Sequence, residues 1–298
     1  MKRRSFLTTA AASAFGIATL SPEVFAAARG WRIPVSVQVY SVRDAAKNDL
    51  AGTLKKIGEI GYDGVEFAGY YGKDAKEVRK YLDDAGLKCS GTHTGIGDLR
   101  GKFDQTVELH KTLGTKYIIV PWIDPKEFKT VDGIKKYADE FNSYAERAKK
   151  VGLAVGYHAH AGDAQDVEGK TAFERFFEGT TKDVIMEVDL GNYIGGGGDP
   201  YKMIEKFRGR SKAIHLKETE DKIFGEGNVD WKRVFGLCET VGGTEWYVVE
   251  DERSAGSVER IEKDYNVLKE WGKTKESVST SSRPVNPVQQ IIQRRRRG

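Results

Sequence analysis

Lys-Ala-Ile-His-Leu-Lys-Glu, residues 212–218, decides how this chain is read. Side chains alternate along a strand with period two, so Ala213, His215 and Lys217 share one face, with Ile214 and Leu216 on the other. A short apolar strand thus ends with an imidazole and an ammonium pointing the same way. Three other strand-like runs end in His158, Asp189 and Glu250. With His215, these four residues are separated in the chain by 31, 26 and 35 residues. That spacing is one strand plus one helix per ligand-type residue.

Working outward, the same alternation of strand and amphipathic helix recurs from Pro34 onward. Strands are expected at Val35–Tyr40, Gly64–Ala68, Cys89–His93, Tyr117–Trp122, Leu153–His158, Val184–Asp189, Lys212–Lys217 and Trp246–Glu250. Their helices are expected at Asp49–Ile60, Ala75–Ala85, Phe103–Leu113, Gly133–Val151, Thr171–Phe177, Pro200–Phe207, Trp231–Val241 and Val258–Trp271. Gly61, Gly86, Gly114 and Gly152 each close a helix just before the next strand, where a left-handed residue is needed. Eight such units in roughly 240 residues fit an α/β fold closed into a single-domain (β/α)8 TIM barrel. No glycine-rich phosphate loop follows the first strand, which argues against a dinucleotide-binding fold.

The barrel is expected to span residues 31–272, between two ends of different composition. Residues 1–30 read as a twin-arginine signal peptide: Lys2-Arg3-Arg4-Ser5-Phe6-Leu7, a weakly apolar run from Thr8 to Leu20, then Ala26-Ala27-Ala28 as a cleavage site. The protein is therefore expected to be exported to the periplasm already folded, without a stable membrane span after processing. Residues 273–298 read as a disordered basic tail, rich in Ser, Thr, Pro and Gln and ending in Arg294–Arg297. The formal charge of +4 comes from these ends, which carry 11 Lys/Arg and 2 Asp/Glu; between them stand 37 Lys/Arg against 42 Asp/Glu. A net −5 excludes a basic nucleic-acid groove as the default. Cys89 and Cys238 are expected to be buried thiols, with no zinc-type spacing. The sequence allows a homo-oligomer without specifying one.

Reactive groups in such barrels come from the carboxyl ends of the strands. His158, Asp189, His215 and Glu250 are therefore the expected ligands of one divalent metal. Two imidazoles and two carboxylates suit Mn, Co, Zn or Fe, with Mg as a further choice, better than Ca. His160 and Glu187 share the alternation face of their strands, as substrate contact and as an outer support that orients a ligand.

The chain resembles the sugar phosphate isomerase/epimerase family, also described as xylose isomerase-like barrels, in its inosose dehydratase-like branch. The resemblance runs from about Val35 to Trp271. It rests on Tyr-Asp-Gly-Val-Glu-Phe (62–67), Gly-Tyr-His-Ala-His (156–160), Glu-Val-Asp-Leu-Gly-Asn (187–192), Gly-Gly-Asp-Pro (197–200), Ala-Ile-His-Leu-Lys-Glu (213–218), Gly-Glu-Gly-Asn-Val-Asp-Trp (225–231) and Tyr-Val-Val-Glu (247–250). It implies a Glu/Asp/His/Glu metal site. Asp189, His215 and Glu250 match that pattern, and His158 stands where the family has its first Glu.

The activity implied is metal-dependent isomerisation or epimerisation of a carbohydrate through an enediolate, with Glu250 removing a proton from carbon. Loss of a β-substituent instead would make it a lyase on a keto-sugar, keto-glycoside or inosose. Lys217 is the expected partner of the enediolate oxygen or an anionic substituent, and His93 the expected acid. Glu66 is expected to bind sugar hydroxyls, and Trp122 and Tyr40 to form a stacking wall. The other two readings are a nuclease, which five histidines and an acidic barrel disfavour, and a non-catalytic sugar-binding protein.

Overall fold

The strand faces that carry Val and Ile must be covered, and eight of them in sequence are covered by rolling the sheet into a cylinder and packing helices outside it. The computed structural model describes residues 32–252 and 257–277. Its parallel strands are β1 (Val35–Gln38), β2 (Gly64–Phe67), β3 (Lys88–His93), β4 (Tyr117–Val120), β5 (Ala154–His158), β6 (Ile185–Asp189), β7 (Ala213–Leu216) and β8 (Trp246–Val249). They form a closed barrel in the order β1-β8-β7-β6-β5-β4-β3-β2. The eight outer helices are α1 (Leu50–Ile60), α2 (Ala75–Ala85), α3 (Phe103–Leu113), α4 (Val131–Lys149), α5 (Ala172–Gly179), α6 (Pro200–Lys206), α7 (Trp231–Leu237) and α8 (Val258–Glu270). The (β/α)8 barrel expected from the sequence is the fold observed.

Local chemistry explains the helix limits. Asp49, Asp74, Thr130, Thr171, Asp199 and Asp230 each accept a hydrogen bond from a backbone N–H of the first turn that follows. Gly61, Gly86, Gly114 and Gly152 all have positive φ, as their placement before strands requires. Three short helices at the strand ends, Arg43–Asn48, Ile96–Gly101 and Leu190–Gly195, were not expected. Nor was the hairpin Asp166–Val167/Lys170–Thr171. Segments this short show no period to detect.

The core has two compartments. Outward strand residues such as Val37, Val65, Ile118, Tyr157, Met186, Ile214 and Val249 pack against the helices. Inside the cylinder Tyr117, Ile119 and Ile185, with Ala154 and Trp246, form a separate apolar floor. Gly156 faces that floor, and a Cβ there would lie 2.4 Å from Ile185 Cγ1. Above the floor the register sets His158 opposite Glu187 and Asp189 opposite His215. The carboxyl half of the lumen is therefore polar.

Two glycine-containing loops are tied down. The Gly225–Trp231 segment wraps the buried Glu218 carboxylate, which accepts hydrogen bonds from the backbone N–H of Gly225 and Val229 and from Trp231 Nε1, at 3.1, 3.1 and 2.9 Å. At Gly195–Gly198, a Cβ on Gly196 would meet the Ala161 carbonyl oxygen at 2.1 Å and one on Gly198 the Tyr193 ring. These glycines allow close packing. Residues 273–277, read from the sequence as part of the tail, pack on the barrel. Thr274 is fully buried and Lys275 Nζ donates to the Tyr62 carbonyl at 3.3 Å. The signal peptide expected at residues 1–30 and the tail expected beyond Ser277 lie outside the described residues. Among the described residues, no helix is long and apolar enough to cross a membrane, and Cys89 and Cys238 are buried free thiols as expected.

Helices α4 and α5 seat on β5 through an aromatic cluster. Phe176 packs on Phe141 at 4.9 Å between centroids, on Phe177 at 5.1 Å and on Tyr157 at 5.2 Å. Deleting a fully buried phenyl ring leaves a cavity its neighbours fill only in part. Phe176→Ala is expected to lower unfolding free energy by about 3–5 kcal/mol, read from urea denaturation; a loss under about 1 kcal/mol would show that the cluster does not hold β5.

Candidate metal centre

The barrel converges the expected ligands. His158, Asp189, His215 and Glu250 are buried at the carboxyl ends of β5 to β8, and donor atoms from all four lie within 4.8 Å of one another. Period-two alternation aims each into the lumen, and strand adjacency brings them together. A second set shares two members: His93, His158, Glu187 and His215 also place donor atoms within 4.8 Å of one another.

His215 lies at the centre. Its Nδ1 is 2.7 Å from Glu250 Oε2, and its Nε2 is 2.7 Å from Glu66 Oε2 and 3.3 Å from Glu187 Oε2. Glu187 Oε2 also meets His93 Nε2 and His158 Nδ1, both at 3.1 Å. One carboxylate oxygen thus faces three imidazoles, and the other, Glu187 Oε1, is buried with no hydrogen-bond partner. Glu187 was expected as an outer support; the structure puts it inside the cluster.

Glu66, expected to bind sugar hydroxyls, is buried beside it. Gln38 Nε2 donates to Glu66 Oε2 at 2.8 Å, and Glu66 Oε1 occupies the space that a side chain at Gly91 would fill. Lys217 Nζ contacts Glu250 Oε1 at 3.0 Å and Asp189 Oδ2 at 3.8 Å, and it also pairs with Glu252. The Asn192 backbone and side-chain N–H groups hold Asp189 at 2.7 and 3.0 Å.

His160 stands edge-on to His158, ring centroids 4.8 Å apart, with Nδ1 buried and unpartnered. Tyr40 and Trp122 lie just past β1 and β4 at the same end of the barrel, 43% and 56% exposed. They stand on the rim and do not fill the barrel. Arg43 already covers one face of Tyr40, at 4.5 Å from the ring centroid.

Gln38, Asn192 and Glu252 were missed. The only signal for Glu252 was its place two residues after Glu250, and for Asn192 its place at the end of the 187–192 motif; nothing local marked Gln38.

Electrostatics follow from crowding four buried carboxylates against one lysine. Burial pushes Asp189 up, to about 7, and Glu250 adds to this while Lys217 opposes it. Burial alone would also raise Glu187 and Glu250, but His215 and the hydrogen bonds from the imidazoles hold both well below the usual carboxylate range. Burial disfavours a charged His215, yet the Glu187 and Glu66 carboxylates outweigh it and raise the imidazole well above its ordinary value. His93 is raised to about 9 against burial by Glu66 and Glu187. His158 is lowered by burial and by the charge on His215, and His160 falls to about 4, chiefly through burial.

The donor set fits a divalent cation. Carboxylates outnumber the lysine that serves them, an oxygen and a nitrogen at the cluster are buried without partners, and mixed imidazole and carboxylate ligation suits transition metals. His158, Asp189, His215 and Glu250 would hold it, with Glu187 as the nearest further donor.

A (β/α)8 barrel with such donors on consecutive strand ends defines a class of protein. The profile described as xylose isomerase-like TIM barrel matches residues 54–271, and the chain belongs to that family. It is 23% identical over 245 residues to the inosose dehydratase of Lacticaseibacillus casei, covering 68% of this chain and 82% of that one. A solved sugar phosphate isomerase/epimerase from Parabacteroides distasonis superposes with a TM-score of 0.70 at 24% identity, covering 80% of this chain and 96% of that one. The IOLI protein, solved with a zinc atom, superposes with a TM-score of 0.64 at 15% identity, covering 83% and 98%.

Two outcomes test the centre. Metal analysis of purified protein is expected to find one divalent ion per chain, and His215→Ala to weaken its binding by more than about 100-fold, beyond the usual effect of an indirect support; an unchanged affinity would remove His215 from the ligand set. Because His215 is held protonated without a cation, binding must displace that proton. Affinity is therefore expected to rise with pH, by about tenfold per unit for each proton released, as checked by calorimetry in buffers of different ionisation enthalpy.

Proposed function

We propose that this protein is an exported, divalent-metal-dependent enzyme that removes a proton from carbon next to the carbonyl of a keto-sugar or inosose. The observation that carries the proposal is the constellation around His215: four buried carboxylates, three imidazoles and one lysine at the carboxyl end of the barrel. A bound divalent cation supplies Lewis acidity to the carbonyl and its neighbouring hydroxyl.

The side chains do the rest. Glu250 Oε1, at the Lys217 side of the cluster, accepts the carbon-bound proton. Lys217 balances the negative charge that passes to the substrate oxygen. His93, raised to about 9, is placed to give a proton to a departing oxygen. The C–H electron pair becomes the new double bond as the C–O bond to the β-substituent breaks. Burial of the cluster keeps bulk water from competing for these protons. Trp122 and Tyr40 offer apolar faces at the rim for a sugar ring.

Elimination, as in a dehydratase or a lyase on a keto-glycoside, is the outcome we favour. His158 replaces the carboxylate that a symmetric two-base exchange would use, and relatives of this chain include inosose dehydratases. Isomerisation or epimerisation is the second reading. It is favoured by one feature: Glu250 meets the Nδ1 edge of His215 and Glu187 its Nε2 edge, so two carboxylates flank one ligand.

Incubation of the metal-loaded protein with keto-sugars in deuterated buffer separates these readings by NMR. Loss of water or of an aglycone supports elimination; deuterium at carbon without mass loss supports isomerisation. Glu250→Gln is expected to lower kcat/KM by about 10²–10⁴-fold, the usual worth of a general base, and retained turnover would sink the assignment. Binding without exchange or elimination would leave a non-catalytic sugar-binding protein.

A further inference from the structure

A cavity of about 410 Å³ opens beside His93, off the side of the metal centre. The segment after β2 forms one wall and carries Tyr70. The start of α3 and the short helix before it form the other, with Asp98, Lys102 and Gln105. Thr94 lies between them. The Tyr70 wall is conformationally unusual: Gly69, Tyr71 and Gly72 have φ of 153°, 53° and 78°. A non-glycine aromatic with positive φ is uncommon, and such residues concentrate where a loop is shaped for a ligand.

The deep end of the cavity is a directed chain of hydrogen bonds. His110, wholly buried, has Nδ1 2.7 Å from the Thr106 carbonyl, so Nδ1 carries the proton and donates. Its Nε2 is then an acceptor and takes the Thr92 hydroxyl proton at 2.6 Å. Thr92 in turn accepts from the Thr94 hydroxyl at 2.9 Å. The Thr94 oxygen is left with its lone pairs, as an acceptor at the cavity. Asp98 and Lys102 lie 3.7 Å apart and neutralise each other. The cavity thus offers hydroxyl-binding groups without excess charge.

We infer that this cavity is a subsite for a neutral, hydroxyl-rich substituent of the substrate. The natural substrate is then a glycoside, with its reacting ring at the metal centre and a second sugar-sized group beside His93. A pocket of this volume with convergent polar groups is the size small ligands occupy. The pairing of Lys102 with Asp98 favours an uncharged substituent over a phosphorylated one. The inference rests on the reading of the metal centre as a site for proton abstraction from a keto-sugar, and it names the substrate class of that site. His110 acts here as a positioning residue, through Thr92 and Thr94.

The test measures binding of three probes to the metal-loaded protein by calorimetry: 3-keto-glucose, its methyl glycoside and a 3-keto-disaccharide. The disaccharide is expected to bind about tenfold tighter than the methyl glycoside. Thr94→Val and Gln105→Ala are each expected to cut the disaccharide's affinity by about threefold to tenfold, the worth of one hydrogen bond, and to leave the methyl glycoside unchanged; Thr94→Ser restores it. Equal binding of the two glycosides, or variants that weaken both alike, would overturn the subsite. Tighter binding of a 6-phosphate analogue than of the disaccharide would overturn its neutral character. Solvent deuterium incorporation in the same samples judges the proton-abstraction reading separately, so either claim can fail while the other stands.

Discussion

The cost of burying like charges governs this molecule. Glu66, Glu187, Asp189 and Glu250 lie in the lumen of one barrel, each shielded from water. An ionised carboxylate without a partner in such a place is strongly destabilising, and four cannot be carried by one lysine. Protons on His215 and His93 offset part of the charge, which is why both imidazoles are raised against the pull of burial. A dication does the same work more completely. The crowding of carboxylates, the basicity of His215 and His93 and the fitness of the cluster for a metal are one electrostatic fact.

The scaffold keeps that arrangement tight. Ligand-type residues sit on strands, whose register leaves little freedom, and the apolar floor of Tyr117, Ile119 and Ile185 closes the lumen beneath them. Small residues at two interior positions make room: Gly156 for Ile185 and Gly91 for the Glu66 carboxylate. Glu218, next in the chain to Lys217, gathers the backbone of the loop before α7, so that loop is also held. Rigid elements position proton donors and acceptors more closely than loops can, which suits chemistry that depends on hydrogen-bond reach.

Around this fixed centre the variable parts face outward. Trp122 and Tyr40 are exposed on the rim, and the strained Gly69–Gly72 segment walls the cavity next to His93. Barrels of this family keep their reactive groups on strand ends and vary the loops after them. In the proposed reaction a substrate is chosen by groups that take no part in moving its protons. His110 illustrates the division: buried behind the cavity, it sets the direction in which a threonine hydroxyl points.

Much of this was legible in the residues alone, for a stated reason. Strand alternation and helix caps are local, so the eight units, their glycine stops and the set His158, Asp189, His215 and Glu250 could be read along the chain. Partners across the lumen could not. Glu66 and His215 are 149 residues apart and meet only because the sheet closes. Glu187 looked like an outer support because its place beside three histidines depends on the stagger of β3, β5, β6 and β7. The hold on the loop before α7 could not be read either, since a buried carboxylate at Glu218 gives no sign along the sequence of what it will bind. The sequence by itself determined which faces turn inward and what chemistry they carry; closure of the barrel decided which of those groups touch, because register and curvature are properties of the whole sheet.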